Sequence, residues 1–126
     1  MIAGIGVDTV EVDRIAKAIN RLGRRFIERV FTEDEIAYCE SRPSPPQHYA
    51  ARFAAKEAVL KVLGTGWSTG VRWKDVEVIS DSSRNPSLRL HGMAGKIARG
   101  GSISTIHISL SHTSSVATAV AAAEGT

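Results

Sequence analysis

HYAARFAAKEAVLKVLG, residues 48–64, is the strongest helical stretch in the chain: alanine-rich, free of proline, and stopped by Gly64. Within it Glu57 and Lys61 stand four residues apart in the favourable order and share a face with Phe53, Leu60 and Gly64. An isolated pair at this spacing is ordinarily a surface pair, worth only about 0.2–0.5 kcal/mol. Here Phe53 and Leu60 make the face partly buried, and Ala50, Ala51, Ala54, Ala55 and Ala58 let another backbone pack closely. A charge in such surroundings calls for a ligand.

Working outward, the second informative stretch is GIGVDTVEVDRI, residues 4–15. Ile2, Ile5 and Val7, set among small residues, predict a buried first strand over 2–8, and Asp8 ends it. Asp8 and Glu57 are thus two carboxylates on separate segments. Near phosphate-binding groups they suit Mg²⁺, a hard cation usually held by one or two carboxylates plus substrate phosphates. This points to phosphate-transfer chemistry.

The remaining elements are mixed α and β. Ile15, Ile19, Leu22 and Phe26 predict one helix over 13–29, and Thr32 to Glu35 reads as a capping box opening a short helix that ends near Ser41. The proline-rich 42–47 stretch reads as a loop. Strands are expected over Val71–Ile79 and Pro86–Leu90, with a turn at Asp81–Asn85, and a brief helix over Met93–Ala98. Residues 103–111 alternate as a half-buried strand does, and Ser115–Ala123 pairs with it across the His112-Thr113-Ser114 turn. No repeat or linker divides the 126 residues, so one domain over 1–126 is expected. A chain this short encloses a deep cleft poorly, which favours a site shared between subunits.

The formal charge of +3 favours acidic or phosphorylated partners. Cys39 is the lone cysteine, so no internal disulfide forms and a reducing compartment fits. The absence of a leader-like or membrane-spanning stretch suggests a cytoplasmic protein without membrane attachment. Arg14, Lys17, Arg21, Arg24 and Arg25 form a basic stripe rotated away from the apolar face of the first helix, a surface for an acidic partner. Glu11, Asp13 and Glu28 stand only at its ends. The turn Gly64-Thr65-Gly66 offers backbone amides to a phosphate but follows a helix, so it is no Walker loop, and Lys61 offsets the negative helix end there. His48, His91, His107 and His112 lack zinc-ligand spacing. His107 reads as packed or hydrogen-bonded; His112, among hydroxyls at a turn, is suited to a phosphate contact.

GIGVDTVEVDRI, RFAAKEAVLKVLGTG and HISLSHTSSVATAVAAAE (107–124) together closely resemble the holo-[acyl-carrier-protein] synthases, the short trimeric type of 4′-phosphopantetheinyl transferase. The resemblance spans nearly the whole chain and implies an α+β fold, an antiparallel sheet packed against a long central helix, and active sites between neighbouring subunits of a homotrimer. It implies that Asp8 and Glu57 hold Mg²⁺ with the pyrophosphate of coenzyme A, the co-substrate. A serine hydroxyl of an apo acyl carrier protein then attacks the β-phosphorus, the phosphopantetheine arm moves to that serine, and adenosine 3′,5′-bisphosphate leaves. Lys61 neutralises pyrophosphate charge, and the serine proton goes to Glu57 or to a metal-bound water. Gly64, Thr65 and Gly66 would line the phosphate path, and Arg52, Pro86, His112 and Thr113 the nucleotide end. The acidic carrier gives Arg14, Arg21 and Arg25 a partner, with Phe26 as an apolar anchor. Two stretches depart from the family pattern: Arg84-Asn85-Pro86 stands where many members carry Gly-Lys-Pro, and the 42–47 loop is particular to this chain.

Two other readings compete. A small basic nucleic-acid-binding domain fits the charge, but the aromatic residues are scattered without a stacking motif. A carrier-docking module without chemistry would have no need to keep Asp8, Glu57 and Lys61 together.

Overall fold

Strand β1 (Ile2–Glu11) opens the chain and runs into helix α1 (Val12–Leu22), followed by α2 (Arg24–Val30) and α3 (Glu33–Glu40). The computed structural model describes residues 1–64, 70–80 and 85–125. After the long helix α4 (Pro45–Leu63) come a 3₁₀ turn at Trp73–Asp75, strands β2 (Val76–Ile79) and β3 (Ser87–Leu90), helix α5 (Gly92–Gly100), and strands β4 (Ile103–His112) and β5 (Val116–Gly125). Two antiparallel sheets result, one in the order β1-β5-β4 and one pairing β2 with β3. The architecture is α+β.

Helix α4 lies against the larger sheet, touching β1, β5 and β4. Small residues make that approach possible. Ala117, Ala119, Ala121 and Ala123 alternate along β5 with no exposed surface, opposite the equally buried Ala50, Ala51, Ala54, Ala55 and Ala58 of α4. On β1 the closest approach falls at Gly6, where a Cβ would sit 2.3 Å from the carbonyl oxygen of Ala58. Strand alternation then sets Asp8, two residues on, on the same helix-facing side as Gly6 and Val10.

Several expectations need correction. The 13–29 helix is two helices, because Gly23 adopts φ 65 and donates its N–H to the Ile19 carbonyl, ending α1. The apolar phase continues across the break, which is why periodicity alone misses it. The 42–47 loop is shorter than expected: α4 starts at Pro45, with both prolines in its first turn, where a missing N–H costs no helical bond. The Val71–Ile79 strand is confined to its second half, and the Asp81–Asn85 turn lies largely outside the described residues. His112 is not in a turn; it is the last residue of β4, paired with Ala117. The first strand is also not buried on both faces. Ile5 is 68% and Val7 51% exposed, and with Val120 (39%) they form an apolar outer face on the sheet.

The capping box forms as expected. Thr32 Oγ1 accepts from the Glu35 N–H, and the Thr32 N–H donates to Glu35 Oε1 at 2.8 Å. Gly64 closes α4 in the left-handed region at φ 75, its N–H bonded to the Leu60 carbonyl. Cys39 is fully buried, and that burial pushes its thiol up to about 12, leaving it unreactive at neutral pH. Among the described residues no helix is long and apolar enough to cross a membrane.

Candidate active site

The close β1–α4 crossing brings the two sequence-selected carboxylates to one place. Lys61, in the last turn of α4, reaches back to β1 and donates to the Val7 carbonyl at 2.8 Å and to Asp8 Oδ1 at 3.3 Å. Lys61 therefore pairs across elements, with Asp8, rather than along its helix with Glu57. Glu57 stands one turn earlier and is half-buried. Burial raises its carboxyl above the ordinary range, and the charge of Asp8 raises it further; Arg14 and Lys61 pull it back. Two carboxylates thus repel each other in a partly desolvated corner flanked by two cations.

That donor set fits a hard dication. The oxygens come from two carboxylates, and among the described residues no group of three or more His, Cys, Asp or Glu side chains forms the kind of site that zinc takes. Mg²⁺ commonly completes its shell with water and phosphate oxygens, so two protein ligands suffice. Its charge would also relieve the Asp8–Glu57 repulsion.

Arg14 links this corner to a second feature. Its guanidinium lies 5.9 Å from the centre of the Phe53 ring, and both residues line a groove of about 940 Å³ along α1 with Arg21, Leu22 and Phe26. Phe26 and Phe53, both on the groove, stack at 6.5 Å, and Phe53 stacks in turn on Trp73 at 4.8 Å. The basic stripe is less uniform than its sequence suggests. Lys17 pairs with Asp13 at 3.0 Å, and Arg24 with Glu28 at 3.8 Å. Arg14 and Arg21 remain on the groove, whereas Arg25 lies beyond the Gly23 break on α2 and does not line it.

A third cluster forms at the other end of α4. Arg52 is five residues before Glu57, which turns it about 140° around the helix and moves it about 7.5 Å along the axis. It is 95% buried in effect, with 5% of its surface exposed, and donates to Ser80 Oγ at 2.6 Å and to the His48 carbonyl at 3.3 Å. Its plane lies over Tyr38 at 4.3 Å, and its Nε has no hydrogen-bond partner among the described residues. The His48 and His112 rings meet edge to face at 5.0 Å. Thr113, next to His112, uses its hydroxyl to accept from the Val116 N–H at 3.1 Å and so holds the β4–β5 turn. Burial lowers the His48 imidazole below its ordinary range, and the charges of Arg52, His112 and Arg42 lower it further. An under-bonded, buried arginine beside two imidazoles is a polar corner suited to an anion. Sequence reading missed His48; its only signal was its place four residues before Arg52 on the same helix.

Single-chain geometry thus separates the expected site residues. Asp8, Glu57 and Lys61 come together, and Arg52, His112 and Thr113 lie near the His48 cluster. Gly64 caps α4 beside Lys61, and Pro86 precedes β3. Thr65 and Gly66 lie outside the described residues. His107 is hydrogen-bonded as expected, to Glu124 on β5, though exposed.

Comparison with known proteins identifies the family. Residues 4–121 match the family model of the 4′-phosphopantetheinyl transferase superfamily. The chain belongs to that family. It is 48% identical to a holo-[acyl-carrier-protein] synthase of Solibacter usitatus over 116 residues, 92% of this chain and 93% of that one. The fold superposes on the crystal structure of the holo-[acyl-carrier-protein] synthase of Neisseria meningitidis with a TM-score of 0.87 at 32% identity, covering 98% of this chain and 99% of that one. It likewise matches the Bacillus anthracis synthase in complex with coenzyme A (3′,5′-ADP), with a TM-score of 0.80 at 33% identity over 100% and 99% of the two chains. The chain is therefore an enzyme of the phosphopantetheinyl transferase family.

Proposed function

We propose that this protein, a single domain over residues 1–126, transfers 4′-phosphopantetheine from coenzyme A to a serine of an apo acyl carrier protein. Adenosine 3′,5′-bisphosphate is released, and the product is a holo carrier for fatty-acid or polyketide synthesis. The observation that carries this reading is the meeting of Asp8, Glu57 and Lys61, with Arg14, whose charge acts on Glu57, lining a groove together with Arg21 and Phe26. Family membership and the coenzyme A bound by the Bacillus anthracis relative support the choice of donor.

Asp8 and Glu57 would hold Mg²⁺, which when bound supplies charge neutralisation at the pyrophosphate. Lys61 adds a fixed positive charge beside the same carboxylates, tethered by the Val7 carbonyl so that its ammonium needs little reorganisation. The serine proton would go to Glu57 or to a metal-bound water. The groove along α1 would align the carrier so that its serine meets the donor in line.

Arg52, His48 and His112 would bind the nucleotide phosphates. Because Arg52 and Glu57 point to different sides of α4, one coenzyme A reaches both sets most simply when they come from neighbouring subunits. The exposed Ile5, Val7 and Val120 face favours that assembly as a cytoplasmic homotrimer. Incubating the protein with coenzyme A, MgCl₂ and an apo carrier, and separating the nucleotide products, tests the reaction. Adenosine 3′,5′-bisphosphate should form only with carrier present and should stop when the metal is chelated. Its formation without carrier would mark a hydrolase instead.

Charge reversal at Arg21 separates the two substrates. Arg21→Glu should raise KM for the carrier about tenfold, with coenzyme A affinity unchanged, because steering and docking of an acidic partner depend on that face. Unchanged carrier kinetics would remove α1 from the interface.

The His48 cluster gives a pH dependence of defined sign. In the free protein burial and nearby cations depress its imidazole, so it is largely neutral at pH 7. A bound phosphate favours the charged form, so binding takes up a proton and strengthens as pH falls. Calorimetry should show tighter coenzyme A binding at pH 6 than at pH 7.5 (about pH values on either side of an unperturbed histidine). The gain should shrink in His48→Gln; an equal gain in that variant would assign it to another group of the protein.

A further inference from the structure

Lys56, the neighbour of the candidate base Glu57, has no exposed surface, and nothing in the transfer chemistry calls for it. Its ammonium is fully engaged. It donates to Glu35 Oε1 at 2.9 Å, to the Trp73 carbonyl at 3.1 Å and to the Val76 carbonyl at 2.5 Å. Glu35 is equally committed: besides Lys56 it accepts from the Thr32 N–H at 2.8 Å and the Val78 N–H at 2.8 Å. Thr32 Oγ1 passes the network on to Glu77 Oε2 at 2.7 Å, and Glu77 Oε1 bonds His91 Nε2 at 2.9 Å. The start of α3, the 3₁₀ turn, β2 and the residue before α5 are thereby joined to one point on α4.

Such a buried pair is a poor source of stability, since desolvation offsets most of its attraction and apolar replacements often do as well. Directional bonds are better at fixing orientation. Helix α4 has particular need of that. Much of its packing face is alanine, and on β1 it meets Gly6 through the Ala58 backbone and the Val62 side chain, a surface of mostly small residues with few side chains to resist rotation or sliding. Lys56 is one residue, about 100° of helical turn, from Glu57. Any rotation of α4 that moved Glu57 away from Asp8 would pull the Lys56 ammonium from three acceptors at once.

We infer that the Lys56–Glu35 pair is a positioning device that fixes the rotation of α4 and so sets Glu57 against Asp8. The inference rests on the transferase reading above, and neither Lys56 nor Glu35 touches a substrate in it.

The test uses the full chain with Lys56→Met and with Glu35→Gln, each made alone and together with Glu57→Gln. Coenzyme A sites per chain are counted by calorimetry, and transfer per site is followed by the mass of the carrier. Each single variant should keep its coenzyme A sites and a KM for coenzyme A within about twofold of wild type, while kcat per site falls about tenfold or more. On the Glu57→Gln background the same changes should lower the residual rate far less, because the group they position is already gone. An equal fall on both backgrounds, or kcat per site within about twofold of wild type in the single variants, overturns the inference. If Lys56→Met does not fold, Glu35→Gln, which keeps the size of the side chain and an acceptor oxygen, decides alone by the same readings. A wild-type protein that modifies no carrier overturns the transferase reading instead, so the two failures are distinct.

Discussion

Glu57→Gln is expected to lower the rate of transfer by about 10²–10⁴-fold, the range typical for loss of a positioned acid–base group. The substitution keeps the size of the side chain and its place on α4, so the fold has no reason to change. It removes a charge that in this account holds a dication with Asp8 and is one of two candidates to accept the serine proton. Coenzyme A should still bind, because Arg52, His48 and His112 lie on another side of the helix. Removing a carboxylate from beside Asp8 also relieves the repulsion that raises the Glu57 carboxyl, so the variant should be no less stable than wild type. Rate measurements at saturating coenzyme A and thermal melts check both statements. A variant with a rate within about tenfold of wild type would show that Glu57 is neither a metal ligand nor the base.

Gly6→Ala should be nearly as damaging by a different route. The added methyl would lie 2.3 Å from the Ala58 carbonyl oxygen and 3.2 Å from the Val62 side chain, and the first of these contacts is backbone. Either β1 or α4 must move. Overpacking of this kind typically costs about 1–3 kcal/mol, which for a chain of this size should lower Tm by several degrees. The larger consequence is for the site. Asp8 is two residues from Gly6, and Lys61 one turn from Ala58, so separating the backbones at their closest approach lengthens the Lys61–Asp8 contact. Transfer should fall more than stability does, so that activity stays low at temperatures where the variant is fully folded. Full activity in folded Gly6→Ala would show that the close crossing does not set the carboxylates. Gly4→Ala is a suitable control, since the nearest atom there is an ordinary 3.7 Å away.

Much of this arrangement was legible in the sequence because it depends on local rules. The Thr32 capping box, the Gly64 stop and the β4–β5 hairpin each follow from residues within a few positions of one another. Asp8 and Glu57 stood out as charges in apolar surroundings, and the alanines announced a close backbone approach that Gly6 and Ala58 make. The misreadings have physical causes. A helical apolar phase runs unbroken past Gly23, so a break made by one positive φ leaves no trace in periodicity. Proline stops a helix interior yet suits a first turn, so Pro45 and Pro46 are a start and not a loop. Exposure of Ile5 and Val7 could not be read at all from one chain's hydropathy, because an apolar face looks the same whether it meets a core or another molecule.

The least legible feature was the interior charge. Lys56 reads as one more polar residue on an alanine-rich helix, and its partner Glu35 reads as an N-terminal capping residue, which it also is. Only the tertiary fold brings them together, across 21 positions of sequence. The same holds for the division of the site. The resemblance assigned Arg52 to the nucleotide end and Glu57 and Lys61 to the pyrophosphate; that one helix turns them to different sides is a matter of its geometry.

Intact-mass spectrometry of an apo acyl carrier protein, incubated with coenzyme A, Mg²⁺ and this protein, tests the central claim most directly. The account expects the carrier to gain the mass of one phosphopantetheine group, dependent on Mg²⁺ and all but lost with Glu57→Gln. A set of apo carriers left unmodified by the wild-type protein would contradict it.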